Sequence, residues 1–516
     1  MPNFDIPLSG LNADSTALNT IANNLSNMNT TAFKAQTTNF SDLFYQQVGT
    51  AGSGDEIQQG TGVQVASNST DFTGGTNAST GVSTDAAING AGFFVLNGGN
   101  GSQLYTRDGN FQLSSNGTLE STAGQPVMGY SATNGVINAN GALSAIVIPT
   151  GQVMPPAATT TFSMTQNLDS ASPVGATASG PVTVYDSLGN SYVATVNYTK
   201  TGTNAWSYNI SMPDTLTPGS ATVGGVTTVN YDFGASGGKL ATVNEGTNLT
   251  ITAPATAGGT ATTALPTFTG SPETVADYVT DLNTALGAAG ITVGAGGVTV
   301  SSTPAGVLTI SGANISTSGS VIQDPVGANT MGTLTFNSSG NLVNPAGDVS
   351  GISFAGLSDG AAAMDMTWDV LGSAGTGNIS QTAAANSTSS PSQNGYSSGE
   401  YESFTIGSNG TVSATYSNGQ SQNVGQIALA TVSNVQGMSD VGSTEYQTTA
   451  ASGQASVGVA GTGGLGTLQG SSLEASNVNI SAEFSDLIVA QRAFEANSKA
   501  VTTFDSITQE TINMIH

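Results

Sequence analysis

Thirty-two carboxylates, one histidine and no cysteine are what this 516-residue chain offers for acid, base or nucleophilic chemistry. The histidine is the final residue, His516, so no Ser-His-Asp or Cys-His constellation can be built inside a cleft. A two-histidine zinc site and a cysteine zinc site are excluded on the same count. Gly461, Gly463 and Gly466 match the form GxGxxG, but Gly and Thr surround them where a phosphate-binding loop needs a strand before and a helix after. They read as a flexible linker. Paired carboxylates can hydrolyse glycosides without histidine. A sugar cleft usually carries several stacking aromatics, however, and Trp206 and Trp368 are the only tryptophans. The sequence therefore points away from catalysis and names no metal and no cofactor.

The informative side chains are apolar and periodic. Leu11, Leu18 and Leu25 fall seven residues apart, with Ile21 and Met28 between and beyond them. Near the other end, Ile480, Leu487, Phe494, Val501 and Ile515 share one seven-residue ladder, Thr508 is its polar rung, and Ala490 and Phe504 take offset positions. Such spacing makes a seam that a second helix covers. A single helix of about 20 residues is marginal in water. The two ends are thus expected to pair with each other, with other copies of the chain, or with both. That need implies assembly.

Charge and composition agree. Charged residues are 7% of the chain, against about 25% in an average soluble protein. Glycine is abundant, at 68 residues. Hydroxyl- and amide-rich, turn-rich composition suits β domains. A formal net charge of −26 excludes a phosphate-backbone partner, so no nucleic acid is expected. No stretch of about 20 apolar residues is present, and no membrane insertion is expected. The first 33 residues contain no lysine or arginine, so a cleaved signal peptide is not expected either.

Along the chain, residues 8–28 read as an amphipathic helix with Ser9 as its cap, and Phe40, Leu43, Phe44 and Val48 as a short second amphipathic turn. Strand signals run from 86 to 150, with Asp108-Gly109 expected as a hairpin turn between Leu104–Thr106 and Phe111–Leu113. A second β region contains alternating Val182–Tyr185 and Tyr192–Tyr198 around Leu188-Gly189-Asn190. Val275, Tyr278, Val279, Leu282 and Leu286 mark a helix inside an aromatic-poor insertion. The expected fold is mainly β and multi-domain, with terminal α-helices paired as a coiled-coil-like inner domain and with nested, discontinuous domains. The expected boundaries are 1–35 with 474–516 (terminal helices), 36–84 with 452–473 (connector), 85–155 with 395–451 (middle β domain), 156–213 with 331–394 (outer β domain) and 214–330 (an inserted α+β domain).

Several of these segments carry a resemblance. Asn29, Thr30, Phe33 and Lys34 resemble the opening signature of the flagellar axial proteins, the rod and hook family of bacterial flagella. Ala32 stands where that signature has glycine, so the turn before Phe33 is expected to differ. Gly90, Gly92, Phe93 and Phe94, then Thr106, Arg107, Gly109 and Phe111, resemble its second signature. Asp186 and Gly189 sit in VYDSLGN, similar to a strand-turn motif of the hook's outer domain. Glu474 and Asn477, with Gln491, Arg492 and Asn497, resemble the C-terminal signature. The resemblance is closest to hook members of the family.

It implies an extracellular structural subunit that polymerises head-to-tail into a flexible tubular joint passing torque from rod to filament. It also implies partners: many copies of the same chain, the rod, the hook cap, the hook-filament junction proteins and the flagellar export apparatus. Distal rod and junction proteins share parts of the pattern and stand as alternatives. An acidic adhesin or carbohydrate-active β protein is the alternative of a different class.

Overall fold

The computed structural model describes residues 4–514 except 51–55, 100, 213, 217–218, 224–225, 233–241, 244–248, 256–259, 265–272, 303–306, 319–320, 324–329 and 373–376. Ile515 and His516 therefore lie outside the described residues. The chain is mainly β and folds as two compact units, residues 1–152 with 400–516 and residues 153–399. The first unit is built from both ends of the chain.

In that unit, helix α1 spans Asp5–Ser26 and ends where Asn27 and the polar Asn-Thr run weaken it. It begins three residues earlier than its periodicity suggests. Ser9 does not cap it; the Ser9 hydroxyl donates to the Ile6 carbonyl within the helix. The segment expected as a second amphipathic turn is instead extended. Strand β1 (Gln36–Asp42) contains Phe40, and β2 (Gln46–Thr50) contains Val48. The first pairs antiparallel with β4 (Val63–Thr70), the second with β3 (Glu56–Gln59). The Thr38 and Thr20 hydroxyls meet at 2.9 Å, which ties β1 to α1.

The β body of this unit is an antiparallel sheet running in spatial order from Gly399–Ile406 through Thr411–Tyr416, Ser421–Thr431, Phe93–Asn97, Gln103–Thr106 and Glu445–Gln447 to Ser439–Gly442. Phe94, Phe111, Leu96, Ile146, Ile427 and Leu429 form its main core, and Phe94 and Phe111 meet edge-on at 5.0 Å. Asp108-Gly109 is not a hairpin turn. Gln103–Thr106 pairs back onto Phe93–Asn97, and Phe111–Leu113 pairs forward onto Leu119–Ser121 around Asn116-Gly117. Gly109 serves close approach, since a Cβ there would fall 1.6 Å from the Ala86 carbonyl oxygen.

Residues 153–399 hold two cores. In the first, Thr161–Asp169 runs parallel to both Met364–Asp369 and Ile379–Thr382. An antiparallel sheet of Thr177–Tyr185, Ser191–Gly202, Ala205–Ser211 and Thr330–Phe336 shares that core. The alternation read from the sequence is realised around Leu188-Gly189-Asn190, with Tyr185 paired to Ser191. Trp206 and Trp368 are fully buried here; Trp206 Nε1 donates to Gln381 Oε1 at 3.1 Å. The second core is the inserted one. Helix α2 (Val275–Ala288) buries Val275, Tyr278, Leu282 and Leu286 against Tyr231, Ile251, Leu308 and Ile310.

Both tryptophans belong to residues 153–399, so tryptophan emission reports unfolding of that unit alone. Trp368→Ala is expected to destabilise it by about 3–5 kcal/mol, read as a lower urea midpoint of the emission shift. Leu487→Asp, in the other unit, is expected to leave that midpoint unmoved.

Candidate functional site: a buried clasp and an uncovered helix pair

Three stretches of the first unit converge on one carboxylate. Glu474 is fully buried; Lys34 Nζ lies 2.5 Å from its Oε1 and Arg107 Nε 2.9 Å from its Oε2. A third donor reaches the same carboxylate, the Gly75 N–H, at 2.9 Å from Oε1. Lys34 Nζ also donates to the Thr73 carbonyl at 2.8 Å. The Arg107 fork donates to the carbonyls of Gly90 at 2.8 Å, Gly92 at 3.0 Å and Ile88 at 3.2 Å. Gly90 and Gly92 sit at φ of +110° and +126°, backbone that L side chains rarely adopt and that turns both carbonyls onto one guanidinium nitrogen.

Burial is the largest influence on the Lys34 ammonium and pushes its pKa below the usual lysine value, with Glu474 pulling the other way and the Arg107 charge adding to the lowering. Two cations share one anion in a buried site, and each of their nitrogens has a hydrogen-bond partner.

Neighbouring polar residues extend the clasp. The Ala32 N–H donates to the Glu474 carbonyl at 2.8 Å, and Ala32 itself is buried at φ +56°. The turn before Phe33 therefore takes the left-handed conformation with alanine in it, at a cost of about 1–2 kcal/mol. Asn477 Oδ1 accepts from the Ala35 N–H at 2.8 Å while its Nδ2 donates to the Asp71 carbonyl at 2.8 Å. Asn24 pairs with both backbone groups of Gln36, at 3.0 and 2.8 Å, and donates to Glu483 at 2.9 Å.

Above the clasp, α1 lies antiparallel to α3 (Ile480–Met514), as contacts from Phe4 to Phe504, Asp14 to Asn497 and Asn24 to Glu483 show. Asn479 starts α3 by accepting the N–H of Ser481 at 3.1 Å. Apart from the edge-on Phe4–Phe504 contact at one end, the buried residues of the pair are small or polar. Gly10, Ala13, Thr20 and Asn24 are buried on α1, and Ala490 alone on α3. A Cβ on Gly10 would meet Asn497 Nδ2 at 2.6 Å, and that amide donates to Asp14 Oδ2 at 2.9 Å.

The seven-spaced ladders are thus not the deep seam within one chain. Leu11, Leu18, Ile21 and Leu25 are half-buried, as are Leu487, Val501, Phe504 and Thr508. Met28, Ile480 and Phe494 are exposed. So are Phe484, Ile488, Val489, Ile507 and Ile512, at 44–67%, and Met514 at 79%.

The remaining signature residues lie in several places. Phe93, Phe94 and Phe111 are core, and Phe33 is half-buried. Thr106 is buried, donates to the Thr444 carbonyl at 2.9 Å and accepts from the Asp108 N–H at 2.9 Å. Asn29 is exposed, and Thr30 donates to Asn27 Oδ1 at 3.0 Å. Gln491 is exposed, and Arg492 makes a solvent-exposed pair with Glu495 at 3.0 Å. In residues 153–399, buried Asp186 accepts the N–H groups of Leu188 and Asn190 at 2.8 and 2.9 Å and shapes the Gly189 turn. Among the described residues no cluster of three or more histidine, cysteine, aspartate or glutamate side chains could hold a metal, and no helix is long and apolar enough to cross a membrane.

The chain is 31% identical over 525 residues to the flagellar hook protein FlgE of Salmonella typhimurium, covering 99% of each. The chain belongs to the flagellar hook protein family. The hook protein FlgE of Escherichia coli is 30% identical over 99% of each chain, and that of Treponema pallidum 30% over 98% of each. Four family models match in order. They are the flagella basal body rod protein (residues 4–34), the flagellar hook protein FlgE/F/G D1 domain (87–167), the flagellar basal body protein FlaE D2 domain (155–312) and the flagellar basal body rod FlgEFG protein C-terminal region (469–514). Lys34, Arg107 and Glu474 fall in three different matched segments, and the clasp joins them in space.

Removing the shared anion leaves two buried cations facing each other. Glu474→Gln is expected to destabilise the first unit by about 3–5 kcal/mol, read by circular dichroism in urea, with the tryptophan transition unchanged. A loss below about 1 kcal/mol would show that the clasp is solvated in solution.

Proposed function

We propose that this chain is the structural, non-catalytic subunit of a flagellar hook, polymerising head-to-tail into a flexible tube that carries torque from rod to filament. The observation that carries the proposal is the state of α3. It is 35 residues long, about 50 Å, yet Ala490 is its one buried residue. Ile480, Phe484, Ile488, Val489, Phe494, Ile507, Ile512 and Met514 stand in water in an isolated chain, and so many exposed apolar side chains on one helix mark a protein contact. A head-to-tail contact that does not close on itself generates a helical filament. Full-length family membership supports the same reading, because terminal and β segments match together and in order.

In this reading residues 1–35 and 474–516 form the inner wall, and the half-buried ladder residues Leu11, Leu18, Leu25, Leu487 and Val501 complete their burial between copies. The middle domain (85–155 with 395–451), the outer domain (156–213 with 331–394) and the insertion (214–330) supply the rest of each subunit, whose weakly charged, hydroxyl-rich surfaces slide past those of neighbouring copies as the tube bends. The polymer stands outside the cell, between rod and junction proteins, and its subunits arrive through the flagellar export apparatus. The terminal arms thread in unfolded form and order on assembly.

Deleting residues 480–516 keeps Glu474 and Asn477 but removes α3. The truncated chain is expected to retain its β signal and buried tryptophans and to form no tubes by electron microscopy. Tubes of normal diameter from the truncated chain would sink the proposal.

A further inference from the structure

The chain carries 32 acidic side chains and only six lysines and arginines. Lys34, Arg107 and Lys200 are buried. Lys200 Nζ donates to the Ser170 carbonyl at 2.6 Å and lies 5.6 Å from the Trp206 ring centre. Among the described residues, the exposed cations are Arg492 and Lys499, both on α3. They are seven residues apart and so share a face. Ile488 and Phe484, one and two turns before Arg492, continue that face and are 59% and 52% exposed. Arg492 follows Ala490 by two residues and is therefore turned about 200° from the contact with α1. The result is an outward ridge, apolar at its start and carrying two cations further on, of which Arg492 shares its charge with Glu495 in a solvent-exposed pair at 3.0 Å.

The same unit has a groove of complementary character. It measures about 270 Å³ between α1, α3 and β1, and Ile21, Phe40 and Val489 line it together with Asp14, Glu483 and Asp486. Phe40 and Val489 are 48% and 67% exposed. Asn24 and Asn497 each hold one of the carboxylates, Glu483 and Asp14, and no cation among the described residues lies within ion-pair distance of any of the three. Burial raises the Glu483 pKa above the usual value, against the Asn24 hydrogen bond, and the nearby Asp486 charge raises it further. An unmatched set of negative groups around an apolar floor fits an apolar ridge followed by two positive charges.

We propose that the Phe484–Ile488–Arg492–Lys499 ridge of one copy docks in the Asp14–Glu483–Asp486 groove of the next, and that this pairing sets the direction and register of the helical contact. It rests on the assembly reading above and specifies the contact that reading leaves open. Ridge and groove lie on one chain without facing each other, so their union is heterologous and repeats without closing. The ridge also brings cations to the joint between copies that otherwise repel, each at a net −26.

The test uses the full-length chain, seeded with fragments of its own tubes and followed by light scattering. Arg492→Glu and, separately, Asp486→Lys are each expected to slow elongation about tenfold or more. The chain carrying both changes is expected to recover most of the lost rate, which also shows that neither change prevents folding. Wild-type tubes whose growth is unmoved by either change, or a double variant no faster than the slower single one, would overturn this contact and leave the hook reading intact. A wild-type chain that forms no tubes overturns both.

Discussion

A carboxylate shut off from water between two cations is the constraint on which the first unit depends. Glu474 is 440 residues from Lys34 and 367 from Arg107 in sequence. Ion pairs of this kind contribute little net stability against an apolar equivalent, because desolvation offsets the attraction. Their value is in selection. A buried lysine or arginine tolerates few alternative arrangements, and this site satisfies them with one anion and four backbone carbonyls. The correct meeting of the two chain ends is thereby separated from hydrophobic collapse, which has no such discrimination. The left-handed Ala32 belongs to the same logic: its strain is held because its N–H is committed to Glu474.

The interior of the helix pair follows from this division of labour. With the ends located by the clasp, α1 and α3 need no leucine seam to find each other. Gly10 permits close approach, and Asn497 with Asp14 and Asn24 with Glu483 fix the register by directional bonds. The larger apolar side chains are then free for surfaces beyond the chain. A seam of this type holds position well and contributes little cohesion, which suits a subunit whose strongest contacts form only in company.

Helix and strand classes were largely legible in the sequence, because apolar period is a local property. α2 and α3 lie where their spacing puts them, and Tyr185 pairs with Ser191 across the turn that Gly189 and Asn190 announce. The misreadings share one cause. Phe40, Leu43, Phe44 and Val48 fit a helical spacing, yet β4 pairs with Phe40 from 25 residues away (Val65) and β3 pairs with the strand that holds Val48. Asp108-Gly109 has the composition of a hairpin, but Gly109 answers to the Ala86 carbonyl across the sheet. The ladders revealed an apolar stripe without showing what covers it. The clasp residues stood out as signature positions, but nothing in one sequence pairs position 34 with position 474. Their scarcity was the available signal, since a chain with six cations that seals three of them away has a use for each.

Gly10 brings one last consequence. With no side chain at Gly10, α1 rests directly on the Asn497 side-chain amide, and that one amide sets the spacing between the two helices there. A larger residue at position 10 would displace that amide and with it the hydrogen bond from Asn497 to Asp14 that fixes the register of the pair.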